Sequence, residues 1–246
     1  MATEPIFGRQ PVYELLRAGR REIKRLMMAD NIRQASAAVT RILKVAEKKG
    51  IAPVPVTGQD LDRICRSGNH QGVAVEASLY PYVELEDLLA ESDRSDPPLL
   101  LVIDHVQDPQ NLGSMLRSCE SVGVTGVVIP ATRAVEVTAA AVRASAGAAE
   151  YVRVARVSNL HNALLRMKEA GIRTVGMENA AEAVLYTAAD LRGPVALVVG
   201  SEGEGMAKLL RETCDLLVRL PMRGRVGSLN AAVAAAIALY EIRRQR

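Results

Sequence analysis

The feature that most constrains the fold is a regular alternation, from Leu99 onward, of short apolar runs with segments of helical periodicity. The apolar runs are typical of buried strands, and they are LLLVID (99–104), VTGVVIP (124–130), YVRVARV (151–157), IRTVGM (172–177), VALVVG (195–200) and LLVRLP (216–221). Helical segments follow them at 111–123, 137–147, 159–171, 206–214 and in the Ala-rich C-terminal stretch. This alternation predicts an α/β fold with a mostly parallel sheet covered on both faces. Because the chain has no Trp and one Phe, its core must be aliphatic.

A second, smaller α/β unit is predicted for residues 1–77, with helices near 11–19 and 33–50 and strands near 23–29 and 72–77. This head carries 13 basic and 8 acidic residues, whereas residues 78–97 carry one Arg and six acids. The polar, Pro-ended stretch ESDRSDPP has the composition of a linker. We therefore predict a head (1–77), an acidic linker (78–97) and a main domain (98–246). The net charge of +3 is too small to indicate a nucleic-acid-binding protein by itself, and a solvated surface also explains the charge pattern.

The cysteines and histidines argue against disulfides and metal binding. Cys65, Cys119 and Cys214 are odd in number and widely spaced, which is typical of reduced thiols in a cytosol. The three His residues are also scattered, so no metal-ligand spacing emerges. The chain shows neither an apolar signal core nor an apolar run of membrane-spanning length. We expect a soluble, cytoplasmic protein without a metal or a membrane partner.

Ligands of an open parallel sheet bind beyond the carboxyl ends of its strands, and the first unusual loop at such a position is DHVQDPQNLGSMLR (104–117). Asp108-Pro109 predicts a helix start, with Asp as the cap and Pro in the first turn. Asn111 then lies in the opening turn, near the mouth of the crevice. Arg117 flanks the apolar stripe of this helix, where it either faces a ligand or is a surface Arg that covers apolar neighbours.

The second loop, GSEGEGM (200–206), is rich in glycine but carries neither the dinucleotide pattern G-x-G-x-x-G nor a phosphate-binding P-loop. Its glycines let backbone pass close to a bound group. Glu202 and Glu204 disfavour a polyphosphate and favour a cationic or neutral ligand. A plain strand-to-helix turn is the alternative.

The third loop is LPMRGRVGSLNAAVAAA (220–236). Ser228 is a plausible helix cap, so that Asn230 points from the first turn towards the same crevice, and Arg223 and Arg225 precede it on a glycine-containing loop. The alternative is a capped helix whose alanines merely pack closely.

Together and in order, DPQNLGSMLRS, LVVGSEGEGM and LPMRGRVGSLNAAVAAAIALYE resemble the three motifs of the SpoU branch of the SPOUT RNA methyltransferases. RASAGAAEYVRV resembles the connecting region of that family, and the resemblance covers residues 98–243. IFGRQPVYELL and NHQGVAVE are similar to the L30e-like substrate domain that precedes the catalytic domain in bacterial 23S ribosomal RNA 2′-O-methyltransferases of this family. One departure is Gly227, where the family more often has a polar or acidic residue.

The resemblance implies a trefoil knot at the C-terminal end, an exception to the rule that chains do not thread loops. It also implies S-adenosylmethionine as cofactor and a homodimer formed through the methyltransferase domain, in which Arg117 serves the partner's site. The implied cofactor-binding residues are Val199, Gly200, Leu220, Met222, Ser228 and Leu229, and the implied catalytic set is Asn111, Arg117, Glu202, Ser228 and Asn230. Arg117 is the family's proposed base, but a guanidinium that stabilises the developing alkoxide is an equal hypothesis, since arginine is not deprotonated in proteins.

For RNA recognition, we predict a basic cluster and a loop in the head: Arg17, Arg20, Arg21, Lys24 and Arg25, together with Asn69, His70 and Gln71. A solvated helix end is the alternative for the cluster. The leading function is 2′-O-methylation of a guanosine in 23S ribosomal RNA. Ribose methylation of tRNA and a non-catalytic RNA-binding role in ribosome assembly remain alternatives. A nicotinamide-dependent oxidoreductase is disfavoured because G-x-G-x-x-G is absent.

Overall fold

A computed structural model describes residues 2–32, 36–90, 96–201 and 205–246. In chain order the elements are β1 Thr3–Phe7, α1 Arg9–Ala18, β2 Ile23–Ala29, α2 Ala37–Lys48, β3 Pro53–Val56, α3 Gly58–Cys65, β4 Val73–Ser78, α4 Leu85–Ala90, β5 Leu99–Ile103, α5 Pro109–Val122, β6 Gly126–Pro130, α6 Ala139–Ala144, β7 Val154–Val157, α7 Leu160–Glu169, β8 Arg173–Met177, β9 Val184–Leu185, β10 Val195–Val199, α8 Lys208–Thr213, β11 Leu216–Arg219 and α9 Ala231–Arg244. Contacts divide the chain into one unit of Met1–Pro81 with Val137–Tyr151 and another of Tyr82–Glu136 with Val152–Arg246.

The first unit is built on a four-stranded sheet with the order β1-β4-β2-β3. β4 runs antiparallel to β1 and β2, and β3 runs parallel to β2. The sequence predicted β2 and β4 but neither edge strand, and both edge strands carry proline: Pro5 in β1, and Pro53 and Pro55 in β3. Proline lacks the amide hydrogen that a central strand needs, but an edge strand tolerates it. A run that contains proline therefore does not look like a strand in the sequence.

Residues 137–151 belong to this first unit although they follow β6 in the chain. Ala139 packs against the core cluster around Phe7, and the guanidinium of Arg143 lies 5.6 Å from the centre of the Phe7 ring. The hydroxyl of Tyr151 donates a hydrogen bond of 2.6 Å to Glu14. The contacts thus group this connecting region with the head, whereas the predicted boundaries group it with residues 98–246.

The second unit has a seven-stranded sheet with the order β7-β6-β5-β10-β8-β11-β9, in which every neighbouring pair is parallel. β5, β6 and β10 are buried along their whole length, which is what their uninterrupted apolar runs predict. Leu88, Leu164, Met167 and Leu210 from α4, α7 and α8 join the buried residues of one face of the sheet. α5 and α9 pack on each other and contact β6 and β10, respectively. The predicted parallel α/β sheet is confirmed.

The two helices that begin near the sheet's carboxyl edge start with different caps. Asp108 caps α5 as predicted, because its Oδ1 accepts a hydrogen bond of 2.9 Å from the amide of Gln110. For α9 the predicted cap, Ser228, is wrong. The cap is Asn230, whose Oδ1 accepts hydrogen bonds from the amides of Ala232 and Val233 at 3.0 and 3.2 Å. Asn is as good a cap as Ser, and here it satisfies two amides at once.

Small side chains explain the Ala-rich sequence of α9. Ala231, Ala232, Ala235 and Ala238 are all buried, and α9 packs along α5. Side chains without a Cγ let two helix backbones approach closely, so this helix is held against the helix that carries Asn111.

Candidate functional site

A cavity of about 460 Å³ opens at the carboxyl ends of β8, β10 and β11. Its volume lies in the range that takes a nucleoside-sized ligand. The walls come from three strand ends and from the loop before α9, and the lining residues are Met177, Glu178, Asn179, Val199, Gly200, Ser201, Gly205, Val218, Arg219, Leu220, Met222, Gly227, Ser228, Leu229, Ala231 and Ala234. We call this the strand-end cavity.

All six residues that the sequence predicted as cofactor-binding line the strand-end cavity: Val199, Gly200, Leu220, Met222, Ser228 and Leu229. Val199 and Gly200 are buried at the end of β10, whereas Ser228 and Leu229 are exposed on the loop before α9. The cavity therefore has a rigid wall on the sheet side and an open wall on the loop side.

Gly200 leaves no room for a side chain, because backbone atoms pack directly against it. A Cβ at this position would lie 2.2 Å from the carbonyl carbon of Gly205 and 2.3 Å from the amide nitrogen of Met206. Ser201 and Gly205 exchange two backbone hydrogen bonds of 3.1 Å, which hold the backbone of Gly205 and Met206 against Gly200. The predicted catalytic residue Glu202 lies outside the described residues.

Three polar residues of the cavity were missed by sequence reasoning: Arg219 at the end of β11, and Glu178 and Asn179 after β8. Glu178 Oε2 lies 3.4 Å from the amide of Met206, and Asn179 Nδ2 donates a hydrogen bond of 3.1 Å to the carbonyl of Gly227. They directly follow β8, so the rule that drew attention to the other strand ends would have found them. Gly227 itself is not crowded, because a Cβ there would meet nothing within 4 Å.

The first and third motifs meet through two asparagines. Asn230 Nδ2 donates a hydrogen bond of 2.9 Å to Asn111 Oδ1, while the Oδ1 of Asn230 caps α9. Asn230 thus uses both ends of its amide, and it ties the start of α9 to the first turn of α5. Ser228 lies two residues before it at the strand-end cavity.

A second, larger cavity of about 1020 Å³ adjoins the first, and the two share Ser201 and Gly205. Its other lining residues are Asp104, His105, Val106, Gln107, Asp108, Asn111, Arg133, Met206, Ala207, Lys208 and Arg211. We call it the basic cavity, because among its described lining residues Arg133, Lys208 and Arg211 outnumber the two carboxylates, Asp104 and Asp108. Asn111 brings the asparagine pair to its edge.

Arg117 lies apart from both cavities. Its side chain is exposed on α5, and it is not among the described residues that line either cavity. The structure therefore does not bring Arg117 together with Asn111, Ser228 and Asn230 within one chain.

The cysteines of the chain are poor nucleophiles. Burial raises the pKa of the Cys65 thiol to about 11 and that of Cys214 to about 12, and it also raises the pKa of Cys119. A thiol with a raised pKa carries little reactive thiolate at neutral pH. Within the described ranges, no group of three His, Cys, Asp or Glu side chains is placed to hold a metal ion. No helix in those ranges is long and apolar enough to cross a membrane.

The predicted basic cluster of the head does not form one cationic surface. Arg17 is exposed, with its guanidinium 3.8 Å from Glu14. Arg20 donates hydrogen bonds to the carbonyls of Glu150 and Pro81. Lys24 and Arg25 both pair with Glu76, and these hydrogen bonds, with one from Thr3, lower the pKa of Glu76 to about 2.

Arg21 is buried, which removes it from any RNA surface. Its guanidinium pairs with Glu4 at 2.7 Å and with Glu150 at 2.8 Å, and its side chain has no exposed area. In the predicted RNA loop, Asn69 is exposed, whereas His70 lies 3.2 Å from Asp62 and Gln71 accepts a hydrogen bond of 2.9 Å from the amide of Arg9. Asn69 is thus the freest of the three side chains.

We expect Arg21→Met to lower the free energy of unfolding by about 3–5 kcal/mol, because it leaves two carboxylates without their buried cation. Urea unfolding followed by circular dichroism would measure the loss. Arg17→Met is the matched control on the exposed side of the same segment and should unfold like the unchanged protein. Equal stability of the two variants would contradict a structural role for Arg21.

Comparisons with known proteins agree on one family. Residues 98–240 match the sequence model of the SpoU rRNA Methylase family, and residues 5–83 match the model described as RNA 2′-O ribose methyltransferase substrate binding. A Bacillus subtilis (strain 168) protein named as a TrmH family tRNA/rRNA methyltransferase, YacO, is 42% identical over 242 residues, which cover 98% of this chain and 95% of that protein.

Solved structures show the same likeness. The AdoMet-bound rRNA methyltransferase from Sinorhizobium meliloti superposes with a TM-score of 0.80 at 26% identity, covering 98% of this chain and 87% of that one. The TrmH/SpoU tRNA modifying enzyme of A. aeolicus superposes with a TM-score of 0.56 at 29% identity, covering 66% of this chain and 80% of that one.

These matches confirm the predicted fold class, a SPOUT-type knotted α/β sheet preceded by a small substrate-binding α/β domain. They also confirm the predicted reaction class and cofactor, since the family model spans the three motifs and the S. meliloti relative is described with AdoMet bound. The chain therefore belongs to the SpoU rRNA methylase family, the RNA methyltransferases that use S-adenosylmethionine.

Proposed function

We propose that this enzyme methylates the 2′-hydroxyl of a guanosine ribose in 23S ribosomal RNA. The observation that carries the reaction is the strand-end cavity, whose lining includes six residues expected to hold the cofactor, next to the Asn111–Asn230 pair. Support for ribosomal RNA comes from the share of the chain that is matched. The rRNA methyltransferase of S. meliloti matches 98% of the chain, whereas the tRNA enzyme of A. aeolicus matches 66%.

Methylation of a tRNA ribose is the second candidate. The B. subtilis relative, 42% identical, is named for both tRNA and rRNA, so its likeness favours neither substrate. A non-catalytic assembly role has less support, because Asn111, Arg117, Ser228 and Asn230 are all retained at the positions where the family motifs have polar side chains.

The strand-end cavity fits S-adenosylmethionine in size and chemistry. When bound, the cofactor supplies a methyl group on a positively charged sulfur. Of the lining residues that the structure describes, Glu178 is the one carboxylate and Arg219 is the one cation. Arg219 donates a hydrogen bond to the carbonyl of Ala183, and Glu178 is the group that suits a cationic ligand. Gly200 and Leu220 present backbone at strand ends, while Met222 and Leu229 supply apolar contacts for an adenosine. Val199 and Ser228 complete the set of residues that we assign to cofactor binding.

The ribose hydroxyl is a poor nucleophile, so the protein has to orient it and help it to lose its proton. We assign orientation to Asn111, Ser228 and Asn230, and alignment of this kind lowers barriers by about 7–11 kcal/mol. We assign to Arg117 the stabilisation of the developing alkoxide, because a guanidinium stays protonated and cannot serve as a base. Glu202, from the second motif, is the remaining member of the proposed catalytic set.

A homodimer would bring Arg117 to a site. The loop before α9 and one side of α9 expose Val226, Leu229, Val233 and Tyr240, with Tyr240 56% and Val226 71% accessible. Beside them, a groove of about 540 Å³ is lined by Tyr186, Ala236, Ile237, Tyr240, Glu241 and Arg244. Large apolar side chains exposed together on one helix and the loop before it favour an interface. We assign it to a second copy of the chain, which we expect sedimentation of the protein to detect as a dimer.

In the head we assign RNA contacts to the exposed Arg17 and Asn69, and to Arg20, Lys24 and Arg25 insofar as RNA phosphates displace their present partners. His70 and Gln71 then hold the loop that presents Asn69. Phosphate contacts position RNA without selecting a base, so base selection falls to the loop. Unchanged RNA affinity in Asn69→Ala, in a filter-binding assay with 23S RNA, would remove the loop from this assignment.

The first experiment is transfer of labelled methyl from S-adenosylmethionine to unmodified 23S RNA, with tRNA and an Arg117→Ala variant run in parallel. We expect label in 23S RNA, at one 2′-hydroxyl that becomes resistant to alkaline cleavage, and loss of label in the variant. Label in tRNA alone would replace the substrate but keep the reaction. RNA binding without label in either RNA would favour the assembly role.

A further inference from the structure

No role is assigned from the sequence to Arg133, Lys208 or Arg211 of the basic cavity, yet this cavity is more than a surface hollow. Three segments supply most of its lining: residues 104–108 after β5, residue 133 after β6, and residues 205–211 around the start of α8. Two hydrogen bonds fasten these segments together. Ala207 donates its amide to Asp104 Oδ2 at 2.8 Å, and Val135 donates its amide to the carbonyl of Val106 at 2.9 Å.

Asp104 is the anchor of this arrangement. It is 1% exposed, and while one carboxylate oxygen holds Ala207, the other contacts Nδ1 of His105. A buried carboxylate is costly unless its oxygens are satisfied, and here both are satisfied by groups of the cavity wall. Asp104 thereby fixes the loop after β5 against the segment that carries Lys208 and Arg211.

The backbone at this cavity is also held in an uncommon conformation. His105 and Arg133 both have positive φ angles, 53° and 58°, in the left-handed region that residues with a Cβ rarely adopt. Strain of this kind persists where the surrounding structure imposes it, and it concentrates at binding sites. Two such residues in the wall of one cavity favour a built site over an accidental gap.

The charges of the wall favour an anion. Within the described residues, no ion pair joins Arg133 or Arg211 to a carboxylate, and Lys208 reaches only the exposed Glu212, at 3.8 Å. Among the described residues of the wall, the two acids are already engaged, Asp104 as described and Asp108 as the cap of α5. Arginine guanidinium groups are suited to phosphate because they donate two parallel hydrogen bonds.

We propose that the basic cavity is an RNA phosphate subsite, in which Arg133 and Arg211 bind the phosphodiester next to the target ribose and Asp104 positions the segment that carries Arg211. The proposal rests on the proposed function, since the cavity shares Ser201 and Gly205 with the strand-end cavity and has Asn111 at its edge. A phosphate bound there would fix the neighbouring nucleotide at the border between the two cavities.

The salt dependence of RNA binding distinguishes a phosphate contact from a merely structural role. Each phosphate contact releases counterions from the RNA, so only the loss of such a contact lowers the salt dependence. Arg133→Ala and Arg211→Ala should each weaken binding of a 23S RNA transcript about tenfold. Each should also reduce the slope of log affinity against log salt by about 0.7 to 0.9. Filter binding over a series of KCl concentrations measures both quantities. Arg211→Lys keeps the charge and should keep the slope.

Arg192→Ala is the matched control, since Arg192 is exposed in the same unit, pairs with Asp190 and does not line the cavity. S-adenosylmethionine affinity, measured by calorimetry, should stay unchanged in every variant, because neither cavity arginine lines the strand-end cavity. Slopes of Arg133→Ala and Arg211→Ala equal to that of Arg192→Ala would overturn the subsite even if the protein methylates RNA. Reduced slopes in a protein that methylates neither 23S RNA nor tRNA would uphold the subsite and reject the proposed function. Absence of any RNA binding by the unchanged protein would overturn the subsite.

Discussion

Gly200→Ala is expected to weaken S-adenosylmethionine binding at least about tenfold, a loss of about 1.4 kcal/mol. The added Cβ would lie 2.2 to 2.3 Å from three backbone atoms of Gly205 and Met206, a distance that only a shift of the loop can relieve. That loop lines the strand-end cavity, so the shift changes the wall against which the cofactor binds. Overpacking of this kind also costs about 1–3 kcal/mol of stability. Calorimetric titration with S-adenosylmethionine measures the first effect, and thermal unfolding measures the second.

Gly227→Ala is the control for this prediction, because both glycines line the same cavity. A Cβ at Gly227 would meet nothing within 4 Å, so we expect affinity and stability like those of the unchanged protein. The pair separates a clash at one point from a general sensitivity of the cavity to methyl groups. Equal cofactor affinity of Gly200→Ala and the unchanged protein would show that the cofactor does not depend on the wall at Gly200.

The central strands could be predicted because burial on both faces leaves a continuous apolar run in the sequence, as in β5 and β10. Three of the four edge strands leave no such record. β1 and β3 carry prolines that read as loop, and β9 has only the two exposed residues Val184–Leu185. Local pattern therefore predicted the middle of each sheet and the edge strand β7, but it did not predict the edge strands β1, β3 and β9.

The errors at individual residues have one cause, which is that their partners are distant in sequence. Arg21 reads as a surface cation until Glu150, 129 residues later, is placed beside it. Ser228 and Asn230 are equally suitable caps, and the choice depends on where α9 meets α5 through Asn111, 119 residues earlier. Composition cannot supply such information. The resemblance to the family motifs named six cofactor candidates, and all six line the strand-end cavity, because the motifs follow strand ends that the fold topology brings together.

Arg117→Ala is expected to lower turnover about 100- to 1,000-fold, the usual cost of removing one group that stabilises developing negative charge. Its cofactor affinity should not change, because Arg117 is not among the described residues that line the strand-end cavity. Single-turnover methyl transfer to 23S RNA measures the rate. The exposed position of Arg117 on α5 leads to a sharper test, since the proposed dimer assigns this side chain to the partner's site.

Two inactive variants should then restore each other. Asn230→Ser removes the donor to Asn111 but keeps a side chain that caps α9, so the fold is retained. In a mixed dimer of Arg117→Ala with Asn230→Ser, one site has both an intact Asn230 and the partner's intact Arg117, and the other site has neither. Random exchange of equal amounts makes about half of the dimers mixed, which returns about a quarter of the full activity. If Arg117 acted within its own chain, every site would lack one group and mixing would restore nothing. The rate of the mixture, compared with that of each variant alone, therefore decides whether the active site is built by one chain or by two.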